Sequence, residues 1–219
     1  VRYSTRDYGR CDAGYPRPLS DNWWNLPPDL VRDDSPFGRI DAVFTGSDGR
    51  TYLFAGDQFV VFDTKHRWWS PSRSLAQQWD SLPFERVDSG FVGKDGRTYL
   101  FSGTRYVRYS SRDYSRIDDR YPAPVTPFWG HVVNDIARTG AVDAALVASG
   151  TETVDGVDVT RTWTYLFCGD QYVRYLAPDD EQVEDGYPKV VSASLATEPR
   201  MRNLGITIDH GVDAAFADR

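Results

Sequence analysis

Cysteine, histidine and methionine are scarce in this chain, with two, three and one copies among 219 residues. Two cysteines, Cys11 and Cys168, cannot form a disulfide framework, so the core must rest on packing. The three histidines, His66, His131 and His210, are scattered. No His-Glu-x-x-His is present, and no Cys/His cluster has zinc spacing. A Gly-x-Ser-x-Gly elbow and a phosphate-cradling glycine loop are also missing, which removes the common signatures of hydrolases and nucleotide enzymes. No run of about 18 apolar residues occurs, so no membrane span is expected. Net charge is −7, which argues against nucleic acid or an anionic membrane as the main partner. The N-terminus shows no signal-peptide pattern and no initiator Met, as expected of a trimmed or processed chain.

Aromatic residues, at 14%, are plentiful, and they recur in order. TYLFAGDQFVVF (Thr51–Phe62), TYLFSGTRYVRY (Thr98–Tyr109) and TYLFCGDQYVRY (Thr164–Tyr175) are three copies of one pattern. The tail alone, Val1-Arg2-Tyr3, opens the chain. Alternation of large and small residues on either side of Gly56, Gly103 and Gly169 predicts strand–turn–strand. A second marker precedes each copy: Ile40-Asp41-Ala42, Val87-Asp88-Ser89, Val142-Asp143-Ala144 and Val212-Asp213-Ala214. Small residues after the aspartate suit strands crowded near an axis. Asp48-Gly49 and Asp95-Gly96 then predict type I′ turns into TYLF, giving three-stranded meanders. A looser segment with Tyr-Pro and Trp follows each meander, around Trp24, Trp79 and Trp129, and is expected to form the outer edge. Radial repetition is one way such meanders avoid open edges.

The paired signature resembles hemopexin-like repeats: [IV]-D-[AS], then D-G-R-T-Y-L-F-x-G-x-x-[YF]-V-x-[YF], then Tyr-Pro and W-x-x-L-P. The resemblance covers nearly the whole chain. It implies an all-β, four-bladed β-propeller whose blades of antiparallel strands have short helical or irregular outer connections. On that reading residues 1–39 end blade 1, 40–86 form blade 2, 87–141 form blade 3 and 142–211 form blade 4. Residues 212–219 supply the first strand of the closing blade. The ends lack a middle strand between Val1–Ser4 and Val212–Phe216. The chain is then a fragment, or that strand comes from another polypeptide by edge pairing. Family members often tie first and last blades by a disulfide. Whether Cys11 and Cys168 do so stays open.

The candidate sites follow from the repeat. Asp41, Asp88, Asp143 and Asp213 are equivalent positions, and fourfold repetition points like groups at one axis. The resemblance implies that main-chain carbonyls here ring a cation, calcium in many members, with oxygen ligands suited to a hard ion. The alternative gives the carboxylates to backbone hydrogen bonds, with water on the axis. The spacing between markers grows from 47 to 55 to 70 residues, so the last unit holds insertions. One is a lengthened hairpin with Val154, Asp155, Gly156 and Val157 at its turn, a partner-binding candidate because function collects in loops that break a repeat. Arg2, Arg108 and Arg174 occupy equivalent positions and are expected to pair within blades. Haem binding, through His131 or His210, is not favoured.

The resulting expectation is a non-catalytic binding module for a protein or glycan, soluble and secreted or extracellular rather than cytoplasmic. A carrier of haem or a polyamine in the central tunnel, and a subunit of a secreted bacterial toxin, are the alternatives.

Overall fold

The computed structural model describes residues 13–14, 27, 40–79, 82–129, 139, 141–176, 182–195 and 212. They are organised in three antiparallel sheets. The first runs β1 (Ala42–Thr45), β2 (Thr51–Ala55), β3 (Gln58–Asp63) and β4 (Trp68–Trp69), with β5 (Arg73–Ser74) also on β3. The second is β6 (Ser89–Val92), β7 (Thr98–Ser102), β8 (Arg105–Tyr109) and β9 (Ala123–Pro124). The third is β10 (Ala144–Val154), β11 (Val157–Cys168), β12 (Gln171–Leu176) and β13 (Lys189–Val190). The inner strand β6 lies against both β1 and β10, so the three sheets stand side by side as blades of a propeller. The chain ends, and with them the expected missing strand, Asp213, Cys11, His131 and His210, lie outside the described residues.

The register makes the repeats superpose. Ala42, Ser89 and Ala144 stand opposite Phe54, Phe101 and Phe167. Phe44, Phe91 and Leu146 stand opposite Tyr52, Tyr99 and Tyr165. Period-2 alternation then divides each TYLF between two faces. In the middle blade Phe91, Phe101 and Tyr106 pack toward the third blade. Leu100, Val107 and Tyr109 pack toward the first. Each blade therefore has one aromatic face and one mainly aliphatic face, and aromatic meets aliphatic at each junction.

The segments expected to form the outer edge and the crossing to the next unit reach into these junctions. Each edge strand β5, β9 and β13 is two residues long and runs into a single helical turn. These turns are α1 (Leu75–Gln78), α2 (Val125–Phe128) and α3 (Val191–Ser194). The next residue is Trp79, Trp129 or Leu195, with its N–H donated to the carbonyl of Leu75, Val125 or Val191. Trp79 is buried against Tyr52, Phe54 and Phe59 of its own blade and against Tyr109 and Tyr114 of the next. Trp129 repeats this against Phe91, Phe101 and Tyr106, and the hydroxyl of Tyr175 in the third blade donates to its carbonyl at 3.0 Å.

The Asp-Gly turns differ from the two-residue type I′ expected. Gly46 and Gly93 donate to the carbonyls of Arg50 and Arg97 at 2.8 Å, enclosing three residues, and only Gly49 and Gly96 are in the left-handed region. The cause is the aspartate side chain. Asp48 and Asp95 accept the N–H of Arg50 and Arg97 at 3.0 Å and the hydroxyl of Tyr52 and Tyr99 at 2.8 Å. Burial, followed by that hydroxyl bond to a carboxylate, drives both tyrosine pKa values far above the usual phenol range. A Cβ at Gly46 would stand 2.3 Å from the Tyr114 hydroxyl, so glycine is required there by close approach.

On the outer side Arg108 donates to Asp118 at 2.6 Å and lies over the Tyr121 ring, while Arg174 donates to Glu184 at 2.7 Å and lies over Trp163 and Tyr187. The expected pairing of arginine within blades is thus present in two of them. Burial alone would raise the Asp118 pKa, but the hydrogen bonds from Arg108 and Ser110 outweigh it and hold the group below its usual value.

Two outcomes are expected. Phe101→Ala, at a fully buried position, should lower stability by about 3–5 kcal/mol in urea titrations. Asp118 has a lowered folded pKa, so its contribution is present above the unfolded pKa and is lost as pH falls through the folded one. The stability gap between wild type and Asp118→Asn should therefore be widest near neutrality and close below about pH 4, in denaturant melts across pH.

Candidate functional site

The aspartates of the inner-strand marker are spent on the blade itself. Asp41, Asp88 and Asp143 each accept, through Oδ2, the N–H of Gly56, Gly103 or Gly169 at 2.7 Å. Their own N–H groups donate to Phe54, Phe101 and Phe167 at 2.9 Å. The three glycines sit at φ of 55°, 53° and 57°, at the first position of a two-residue turn, where a side chain would be strained. The residue after each glycine completes the link. The carbonyls of Asp57, Thr104 and Asp170 accept the first helical N–H of Leu75, Val125 and Val191 at 2.7–2.9 Å. One turn thus joins the inner strand to the outer helix in all three blades.

This geometry bears on the axis. Asp88 also meets Arg86 Nε at 2.7 Å. These carboxylates are engaged within their own blades. Among the described residues no group of three or more His, Cys, Asp or Glu side chains is placed to hold a metal ion. The inner strands do touch: the Ser89 hydroxyl, which is buried, donates to the Val142 carbonyl at 3.1 Å.

The lengthened hairpin is where the sequence put it. Val154 and Val157 are register partners across Asp155 and Gly156, both in the left-handed region at φ of 51° and 79°. That is the type I′ turn absent from the equivalent hairpins of the other two described blades. Strand β11 pairs with β12 only up to Trp163–Leu176, so residues 157–162 of β11 pair with β10 alone. One face of this ribbon is a ladder of hydroxyls, with Ser149 and Thr162 at 2.7 Å and Thr153 donating to Asp158 at 2.8 Å. The other carries Val154, Val157 and Val159 and the Glu152–Arg161 pair. Val157 is 62% exposed.

His66 stands on an exposed turn of the first described blade, with Nδ1 3.0 Å from Asp63 Oδ2. Its side-chain and backbone hydrogen bonds hold the Asp63 carboxyl below its usual pKa. Cys168 is a buried thiol with Sγ 3.4 Å from Thr139 Oγ1. Sequence reasoning passed over the neighbours of His66. Lys65, Arg67 and Trp68 all lie exposed on the β3–β4 turn. The signal was legible in Lys65-His66-Arg67-Trp68-Trp69, a basic and aromatic run without a counterpart in the other repeats.

Among the described residues no helix is long and apolar enough to cross a membrane. No curated protein matches the chain. The sequence profile described as Hemopexin matches residues 40–83 and 87–130. Among solved structures, the hemopexin fold protein CP4 from cow pea is similar at 21% identity and a TM-score of 0.57, over 81% of this chain and 77% of that one. LS24, a seed albumin from Lathyrus sativus, is similar at 19% identity and a TM-score of 0.54, over 82% and 78%. A plant lectin with two metal binding sites from Cicer arietinum is similar at 21% identity and a TM-score of 0.55, over 82% and 78%. With the register, the repeated turns and the neighbouring sheets, the profile match identifies residues 40–83 and 87–130 as two hemopexin-like repeats, and the structural matches give the chain the fold of a β-propeller.

Proposed function

We propose that this chain is a non-catalytic binding module, a rigid propeller that offers its long β10–β11 hairpin to a protein or glycan partner. The observation that carries the reading is the hairpin itself. Its strands, of 11 and 12 residues, are more than twice the length of their equivalents, and the extra length ends in an exposed valine. Nothing in the repeat requires that length, since the other blades close with shorter hairpins. A secreted or extracellular setting goes with this reading.

An axial cation belongs to the same proposal. Main-chain carbonyls of Asp41, Asp88, Asp143 and Asp213 would hold it, and calcium suits an all-oxygen set. The similar lectin described as having two metal binding sites supports a cation in this fold. Its role would be to fasten blades, since binding to the folded state alone adds stability by linkage.

Two experiments test these parts separately. A photo-crosslinker at Val157 should give discrete adducts in native extract, while one at Ser47 on a short hairpin should not; adducts from both or from neither would remove the hairpin from the reading. A glycan panel probed with intact protein and with a variant shortened across residues 150–161 would show whether sugar is the ligand met there. For the axis, EDTA should lower the Tm and calcium should restore it. An unchanged Tm would dismiss the cation and leave the hairpin untouched.

A further inference from the structure

The β3–β4 hairpin forms a second surface that the propeller does not need. Phe62 pairs with Trp69 and Asp63 with Trp68, across a turn of Thr64, Lys65, His66 and Arg67. Asp63 fixes the turn by accepting the His66 N–H at 2.9 Å. Strand alternation then separates the two tryptophans. Trp69 packs on Phe62 with ring centroids 4.7 Å apart. Trp68 projects to the opposite face and is 53% exposed. Because Trp68 is the register partner of Asp63, its indole shares a face with His66 and with Arg50, whose Nε is 3.8 Å from Asp63. The Arg50 side chain is 54% exposed and that of His66 is 68% exposed. Lys65 and Arg67 lie exposed on the same turn, just before Trp68, in a chain of net charge −7.

We infer that this turn binds an anionic glycan, a sugar chain carrying uronate or sulfate groups. The C–H face of a pyranose ring is apolar and weakly positive, which matches the electron-rich face of an exposed indole. Lys65, exposed on the same turn, would take the acid group through charge-assisted hydrogen bonds, while Arg50 already pairs with Asp48 and Asp63. Local charge complementarity selects the ligand. The turn is basic where the chain as a whole is acidic. A bilayer fits less well. The other large apolar side chains exposed among the described residues, Val157 and Val190, belong to a different blade, and one indole does not anchor a surface. Single-stranded nucleic acid also fits less well, because it needs a tract of cations along successive phosphates.

This site is separate from the β10–β11 hairpin and does not rest on it. The test is calorimetric titration of the full chain with a heparin-derived hexasaccharide and with an oligogalacturonate, using maltohexaose, oligo-dT and phosphatidylserine vesicles as controls. At least one anionic glycan should bind, weakening as salt is raised, and maltohexaose should not. Trp68→Ala should weaken binding by about tenfold, the scale of a lost stacking contact. Lys65→Glu should weaken it further and flatten the salt dependence. Both positions are exposed, so the Tm should stay unchanged. Shortening residues 150–161 should leave this affinity intact. The inference is overturned if Trp68→Ala binds like wild type, if maltohexaose binds equally, or if oligo-dT or vesicles bind more tightly in a Trp68-dependent way. Loss of binding on shortening the long hairpin would also overturn it.

Discussion

A single antiparallel blade cannot bury both of its faces, and that constraint governs this structure. Every TYLF strand carries large apolar groups on both sides. Each blade must therefore find a neighbour in front and another behind. Trp79 and Trp129 meet that need. Each stands at the end of one blade's helical turn and fills the junction with the next blade, touching aromatic rings from both. In the third described blade the same place holds Leu195, also buried. A residue as large as tryptophan delivers this contact only if its backbone is held at the right height, which returns the question to the turn beneath it.

That turn is the hub of each blade. Its glycine N–H is taken by the inner-strand carboxylate at 2.7 Å, and the following carbonyl takes the first N–H of the outer helix. The inner strand, the middle hairpin and the wedge are thereby fixed to one another by short polar contacts. A charge-assisted bond of this kind is worth more than a neutral one and is sharper in direction. The packing supplies most of the stabilisation, and the hub sets the geometry in which the packing is possible. Tyr114 adds a link between blades, with its hydroxyl accepting the Ser47 N–H at 3.1 Å while its ring stacks on Trp79.

The two proposed binding surfaces lie where this architecture places no demand. The β10–β11 ribbon extends past its pairing with β12, and the β3–β4 turn extends past the last contact with Phe62. Neither contributes a fully buried side chain beyond those points. Both are free to vary while the hub and the wedge are kept, which is why a propeller serves as a scaffold for surface recognition.

The sequence by itself determined the repeat and the strands, while the register of the first hairpin came from the three-residue Asp48 and Asp95 turns. The sequence settled the strands because alternation of Tyr, Leu and Phe has only one arrangement that buries both faces. It also located the long hairpin, since Asp155-Gly156 between valines specifies a two-residue turn. It did not decide the form of the Asp48 and Asp95 turns. There the carboxylate finds a tyrosine hydroxyl four residues on, and that contact exists only once the strands have formed. Nor did it decide the use of Asp41, Asp88 and Asp143. A carboxylate at an inner strand can face an axis or turn back on its own blade, and the glycine N–H 15 or 26 positions away is brought near only by folding. The split between Trp68 and Trp69 was likewise invisible. Two adjacent indoles read alike in a sequence, and it is the packing of Trp69 on Phe62 that partly buries one and leaves the other in water.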